Sequence, residues 1–212
     1  MHLTHMVIDD FFPDPDVVRN AALKIEYPEP LDGAYHPGRN SKLPLSIPGL
    51  DDQIGFILGT RLIGVEGTSH AKCRIALEGA QGTSTVHIDP AHWSGVICLS
   101  RDEHCKGGTE FFSHIRTGMD RAPVYEGDTD VYGYQDPDEV WTDIVQPETN
   151  DLSKWKREFV VPLRYNRLIL FRSYLWHTAG PGFGSNMEDG RLIMVLAYRE
   201  DGLPMPWTPP QS

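Results

Sequence analysis

Two side chains able to ligate a metal stand two residues apart in Val86-His87-Ile88-Asp89. Residues two apart on a β-strand project from one face, so a strand over Thr85–Asp89 aims one imidazole and one carboxylate at the same point. A second histidine carried back to that point would complete a 2-His-1-carboxylate set. Such a set covers one face of an iron and leaves the other open for co-substrate and oxygen. The tripeptide alone is common: His87 also reads as a hydrogen-bonded core histidine, and Asp89 as a turn former before Pro90.

Two later residues answer it. The apolar run Arg167-Leu168-Ile169-Leu170-Phe171 leads through Arg172-Ser173-Tyr174-Leu175-Trp176 to His177, with Gly180 and Gly182 beyond. Fourteen residues after His177, Arg191 opens the strand-like Arg191-Leu192-Ile193-Met194-Val195-Leu196-Ala197-Tyr198, where Arg191, Ile193, Val195 and Ala197 share a face. A buried arginine at the head of an apolar strand is costly unless an anion meets it, and a bidentate carboxylate is its natural partner.

The elements that must position these groups are legible in outline. Val17, Val18, Ala21, Ala22 and Ile25 give helical spacing over Pro15–Ile25, with Asp14 as N-cap and Pro28 as stop. Residues 27–48, rich in Pro and Gly, read as an extended loop, whose Tyr35-His36-Pro37-Gly38-Arg39-Asn40 could border a pocket. Leu50–Leu62 gives a second helix. From Ala71 the period becomes two, with Cys73, Ile75 and Leu77 alternating with Arg74, Ala76 and Glu78 as in a half-buried strand. Strands follow over Thr85–Asp89 and Ser94–Ser100, Gly107–Phe112 is a turn leading into a fourth, and Trp155–Leu163, Arg167–Arg172 and Arg191–Tyr198 are strand-like. Short strands, turn residues between them and helices gathered at the front predict a mainly β chain with flanking helices, built on a cupin-type jelly roll. The stretch His114–Leu152 has no period and holds ten Asp or Glu against Arg116 and Arg121. It reads as a solvated acidic insertion, or as a lid selecting a cationic substrate.

The 212 residues fit one domain, and a formal charge of −11 makes nucleic acid and anionic membrane surfaces poor partners. It leaves room for an anionic substrate, since one buried arginine dominates a pocket locally. Three cysteines (Cys73, Cys98 and Cys105) are too few for a disulfide framework. Cys98, Cys105 and His104 lack a close Cys pair, which argues for ordinary thiols over zinc. No apolar run is long enough for a membrane span and no signal peptide is evident, so a cytoplasmic protein is expected.

In order, His87-x-Asp89, Gly107-Gly108-Thr109-Glu110-Phe111, Asn166-Arg167-Leu168-Ile169-Leu170-Phe171, His177 and Arg191 resemble the Fe(II)/2-oxoglutarate-dependent dioxygenases, in particular their prolyl-4-hydroxylase-like and phytanoyl-hydroxylase-like branches. The resemblance spans about Ala71–Asp201, with Ser113–Trp155 unmatched. The N-terminal part is similar to small bacterial members of the same group. The resemblance implies a double-stranded β-helix core over 71–201, N-terminal helical and loop decoration over 1–70, and a lid-like acidic insertion over 113–155. It also implies Fe(II) held by His87, Asp89 and His177, and 2-oxoglutarate with its distal carboxylate on Arg191. Relatives often add a hydroxyl from the strand after His-x-Asp, but Gly95-Val96-Ile97-Cys98-Leu99-Ser100 offers no Tyr or Thr there. Asp89 stands where halogenating relatives carry a small residue, so hydroxylation of a small molecule or amino-acid side chain by O2, with release of succinate and CO2, is the expected reaction. Two other readings are a cupin-like metal enzyme without 2-oxoglutarate, which gives Arg191 no task, and a non-catalytic β-sandwich binding module.

Lesser candidates are His92 and Trp93 on the substrate side or in loop packing, Trp176 in packing, and Arg39 as an anchor for a substrate carboxylate. His104 and His114 are expected to face solvent.

Overall fold

Opposite faces of the long C-terminal strand carry different residues, and that difference sets the architecture. A computed structural model of the chain describes residues 3–30, 33–125 and 127–206. Ten strands and four α-helices are present among them: β1 (His5–Ile8), α1 (Pro15–Ala22), β2 (Arg39–Asn40), α2 (Leu50–Leu58), β3 (Leu62–Gly64), β4 (Cys73–Ala76), β5 (Trp93–Cys98), β6 (Gly108–His114), α3 (Pro137–Val140), α4 (Gln146–Glu148), β7 (Trp155–Pro162), β8 (Leu168–Arg172), β9 (His177–Thr178) and β10 (Arg191–Glu200). Seven strands form one sheet in the order β1-β8-β5-β10-β4-β2, with β3 also on β10, and three form a second sheet, β7-β6-β9. Every strand pairing is antiparallel. The chain is thus mainly β with flanking helices, as its alternation predicts.

On β10, Leu192, Met194, Leu196 and Tyr198 face one way and join Cys73, Ile75, Ile97, Leu168 and Leu170 in the main core, where Ala22 of α1 and Leu50 and Ile54 of α2 cover them. The other face meets the small sheet: Phe111 of β6 packs with Ile169 and Phe171 of β8, its ring edge-on to Phe171 at 5.2 Å. Burying these apolar faces contributes about 25 cal/mol per Å² removed from water and holds the two layers together. Arg191, Ile193, Val195 and Ala197 lie on the inner face, between the sheets.

Several expectations change. The first 70 residues are more than decoration, because β1, β2 and β3 all extend the large sheet. β4 is buried on both faces, not half-buried. Asp14 sits at the start of α1 but makes no side-chain cap. Thr85–Asp89 is not a strand. It is extended backbone that changes partner at each step: Val86 N donates to Thr149 O, His87 N to His177 O and Asp89 N to Ser173 O. Pro90, which cannot donate, ends it.

The insertion is ordered around a helical run over 137–148. Its buried Val140, Ile144 and Val145 pack on Val86, Ile88 and Trp176, and Thr149 Oγ1 donates to Val86 O at 2.6 Å. It therefore braces the His87 segment from behind. His114, expected in solvent, is 0% exposed and its Nε2 lies 2.5 Å from Glu148 Oε2, a bond inside the base of the insertion. Gly180 explains one of the two glycines after His177: with φ +72°, it passes so close to β6 that an added Cβ would lie 2.4 Å from Gly108 O. No helix among the described residues is long and apolar enough to cross a membrane.

Candidate active site

His87 and His177 reach the site on two segments locked to each other. Each donates its backbone N–H to the other's carbonyl, at 2.9 and 3.0 Å, which fixes the two Cα atoms side by side. Their rings lie 4.4 Å apart, centre to centre. Each imidazole also bonds backwards: His87 Nδ1 lies 3.0 Å from Thr85 O, and His177 Nδ1 2.8 Å from Leu175 O. A carbonyl only accepts, so each Nδ1 carries the proton and each Nε2 presents a lone pair. Sequence alone did not identify these partners, which are backbone atoms.

Both lone pairs point at Asp89. Its Oδ1 is 3.7 Å from His87 Nε2 and its Oδ2 3.3 Å from His177 Nε2. Three electron-rich groups facing one another favour a cation between them. Asp89 is steadied by Ser94, whose hydroxyl donates to Oδ2 at 2.5 Å and sits 2.9 Å from Ser173 Oγ. Burial raises the Asp89 carboxyl's pKa, but when the neighbouring imidazoles carry a proton on Nε2, His177 and then His87 outweigh it and hold the group well below the usual carboxylate range. Burial, with His177 next, pushes His87 down to about 4, keeping it neutral and able to ligate near pH 7.

A further histidine enters from the loop before β2. His36 lies against His87 with ring centres 4.8 Å apart, and ligand-capable atoms of His36, His87 and Asp89 all fall within 4.8 Å of one another. Burial, then His87, holds its pKa well below the ordinary histidine value. The hint was present in Tyr35-His36-Pro37-Gly38, but nothing in the sequence ties that loop to His87.

These groups open on a cavity of about 350 Å³ between the sheets, lined also by Lys72, Arg74, Thr109, Phe171, Ile193 and Val195. Arg191 stands on the same face of β10 as Ile193 and Val195. It is 0% exposed, and its Nε, Nη1 and Nη2 have no hydrogen-bond partner among the described residues. Burial, with Arg74 nearby, lowers its pKa to about 10, which still leaves it charged at neutral pH. Thr109 Oγ1, on the facing sheet, is likewise buried without a partner. An unmet buried guanidinium costs several kcal/mol, so the site is built for an anion.

The other sequence candidates fall elsewhere. His92 Nε2 contacts Pro204 O and Trp93 Nε1 donates to Glu200, both in packing. Trp176 is buried in the cluster behind His87. Arg39 pairs with Glu29. Cys98 and Cys105 lie with sulfurs 3.7 Å apart, and with His104 they form no metal-capable group among the described residues. No described residue of 113–155 lines the cavity.

A family model described as "Family of unknown function (DUF6445)" matches residues 2–194. The chain belongs to that family. No curated protein matches it. Among solved structures, HygX from Streptomyces hygroscopicus with nickel and 2-oxoglutarate bound is similar at a TM-score of 0.54 and 11% identity, over 94% of this chain and 84% of that one. HygX with nickel, 2-oxoglutarate and hygromycin B aligns at 0.53 and 13%, with the same coverage. AviO1 from Streptomyces viridochromogenes Tue57 aligns at 0.52 and 14%, over 95% and 91%. At these identities the likeness establishes a shared fold across nearly the whole DUF6445 chain.

Proposed function

We propose that the protein is an Fe(II)- and 2-oxoglutarate-dependent oxygenase on a double-stranded β-helix, hydroxylating a small molecule or an amino-acid side chain. His87, Asp89 and His177 hold the metal, and Arg191 holds the distal carboxylate of 2-oxoglutarate. The observation that carries this reading is Arg191, whose fully buried guanidinium has no protein acceptor and shares the inner face of β10 with cavity-lining residues. A metal enzyme without the keto acid has no use for that charge. Thr109 Oγ1 supplies the hydroxyl sought on β5 and absent there, reaching the interior from the opposite sheet. HygX, with the same fold, is seen with a metal and 2-oxoglutarate bound, and with the small molecule hygromycin B.

When bound, iron and the keto acid supply the oxidising power, with conversion of 2-oxoglutarate to succinate and CO2. The chain supplies position and environment. Proton placement on Nδ1 keeps both Nε2 atoms available. Ser94 and Ser173 orient Asp89, while Phe171, Ile193 and Val195 keep the cavity walls apolar.

The test is anaerobic loading with Fe(II) and 2-oxoglutarate, then air, with succinate measured against a metal-free control. Succinate should appear even without primary substrate, through uncoupled turnover; none above the control would sink the proposal. Arg191→Ala should weaken 2-oxoglutarate about a hundredfold, the worth of a charge-assisted pair, and Fe(II) little. Equal weakening of both would make Arg191 structural.

A further inference from the structure

One cationic cluster in the cavity is left over once Arg191 has its task. β4 runs beside β10, with Arg74 opposite Ile193 and Lys72 O accepting from Val195 N at 2.9 Å. Lys72 and Arg74 both line the cavity, and Arg74 is only 5% exposed. No carboxylate pairs with either among the described residues. Arg74 donates from Nε to Asn40 Oδ1 at 2.7 Å and from Nη2 to Ser69 Oγ at 3.4 Å, and its Nη1 has no acceptor among the described residues. Buried Arg19, by contrast, places Nη1 on Leu99 O and Nη2 on Glu188.

Ser69 points the same way. Its oxygen accepts from Asn40 Nδ2 at 3.1 Å and from Arg74, so its own proton is not taken up by the protein. Arg74 thus leans toward Asn40 on β2, at the sheet edge, while Arg191 belongs to β10 on its other side. The cavity that Lys72 and Arg74 line is also lined by His87, Asp89 and His177, so this cluster lies beside the candidate metal ligands. Two cations and a free hydroxyl proton at one wall of a cavity make an anion site that the co-substrate does not use.

We infer that Lys72, Arg74 and Ser69 form a subsite for an anionic group, a carboxylate or a phosphate, carried by the primary substrate. This deepens the oxygenase reading and rests on it for the word substrate; the anion site itself stands on its own contacts. Of the two readings of the acidic insertion, a solvated face or a lid selecting a cationic substrate, this favours the first, since none of its described residues lines the cavity.

The experiment titrates the full chain with inorganic phosphate and, separately, with acetate, both metal-free and loaded with Ni(II) and 2-oxoglutarate. Saturable binding of either anion to the loaded protein is expected, weakened about tenfold in Lys72→Gln and in Arg74→Gln, with 2-oxoglutarate affinity kept within about threefold. Phosphate alone assigns a phosphorylated substrate and acetate alone a carboxylate. Lys72 makes no side-chain bond among the described residues, so its variant keeps the fold even where Arg74→Gln loses it. No saturable anion binding overturns the inference. So does an Arg74→Gln protein that loses 2-oxoglutarate as Arg191→Ala does, because Arg74 would then belong to the co-substrate. If Ni(II) and 2-oxoglutarate fail to bind while the metal-free chain still takes the anion through Lys72, the oxygenase reading falls and the anion site stands.

Discussion

Asp89 has three imidazoles around it, at 3.3 Å for His177, 3.7 Å for His87 and within 4.8 Å for His36. Only His87 and His177 have Nδ1 fixed on a backbone carbonyl, which prepares Nε2 as a ligand; His36 has no such bond among the described residues. Replacing His177 by Ala should therefore weaken Ni(II) at least about a hundredfold, and His36→Ala by less than about tenfold, measured by equilibrium metal titration. A reversed order would move the ligand set to His36, His87 and Asp89. That His87, Asp89 and His177 converge and that Arg191 is buried could be expected from residue types and their order along the chain. His36, Thr109 and Arg74 were not legible in this way. His36 sits in a loop whose path has no periodicity, and Thr109 looked like an ordinary residue of a Gly-rich turn. Arg74 looked like the outward position of a half-buried strand, and nothing local announced that its second side was covered.

Among the elements, the hinge between β1 and α1 depends on long-range polar ties. Asn166, at φ +62°, accepts from Phe12 N and donates to Phe12 O, both at 2.9 Å. Asp9 receives Arg167 on both carboxylate oxygens, at 2.5 and 2.9 Å, and Arg164 at 2.6 Å. The Arg167 hydrogen bonds hold the Asp9 pKa down at about 2, against the slight opposing effect of burial. A depressed carboxyl contributes stability that is present above its unfolded value near 4 and lost as pH falls toward 2. Because the pair is partly exposed, the loss should be on the order of 1 kcal/mol. Urea unfolding of Asp9→Asn should show that deficit at pH 7 and lose most of it at pH 2; a deficit unchanged by pH would exclude this ionic origin. Long periodic elements such as α1, β8 and β10 could be read from sequence to within a few residues. Two-residue strands like β2 and β9 could not, because pairing with β4 and β6, rather than any local pattern, makes them strands.

Over the whole molecule, charge is segregated. The chain carries a net −11, yet Lys72, Arg74 and Arg191 lie at or beside its interior cavity. The outside repels anions at long range while the cavity attracts them at contact, so anion affinity should depend far less on salt than a surface site would. The mainly β architecture with flanking helices was legible from alternation and turn residues. That the first 70 residues enter the sheet was not, since β1 to β3 are short, and β1 and β3 pair with strands more than a hundred residues away.

The mutual backbone bonds of His87 and His177 join positions separated by 90 residues of chain. Closing so long a loop comes only when β6, β9 and the braced insertion are in place, and contacts of that range form late. The candidate metal site should therefore be completed only at the end of assembly. Ni(II) binding followed during refolding from urea should appear only with the slowest phase that restores native fluorescence. A metal present at a hundred times its Kd should then raise stability by about 2.7 kcal/mol, because it has nothing to hold before that phase. Binding in the dead time of mixing would show that the histidines meet without the fold.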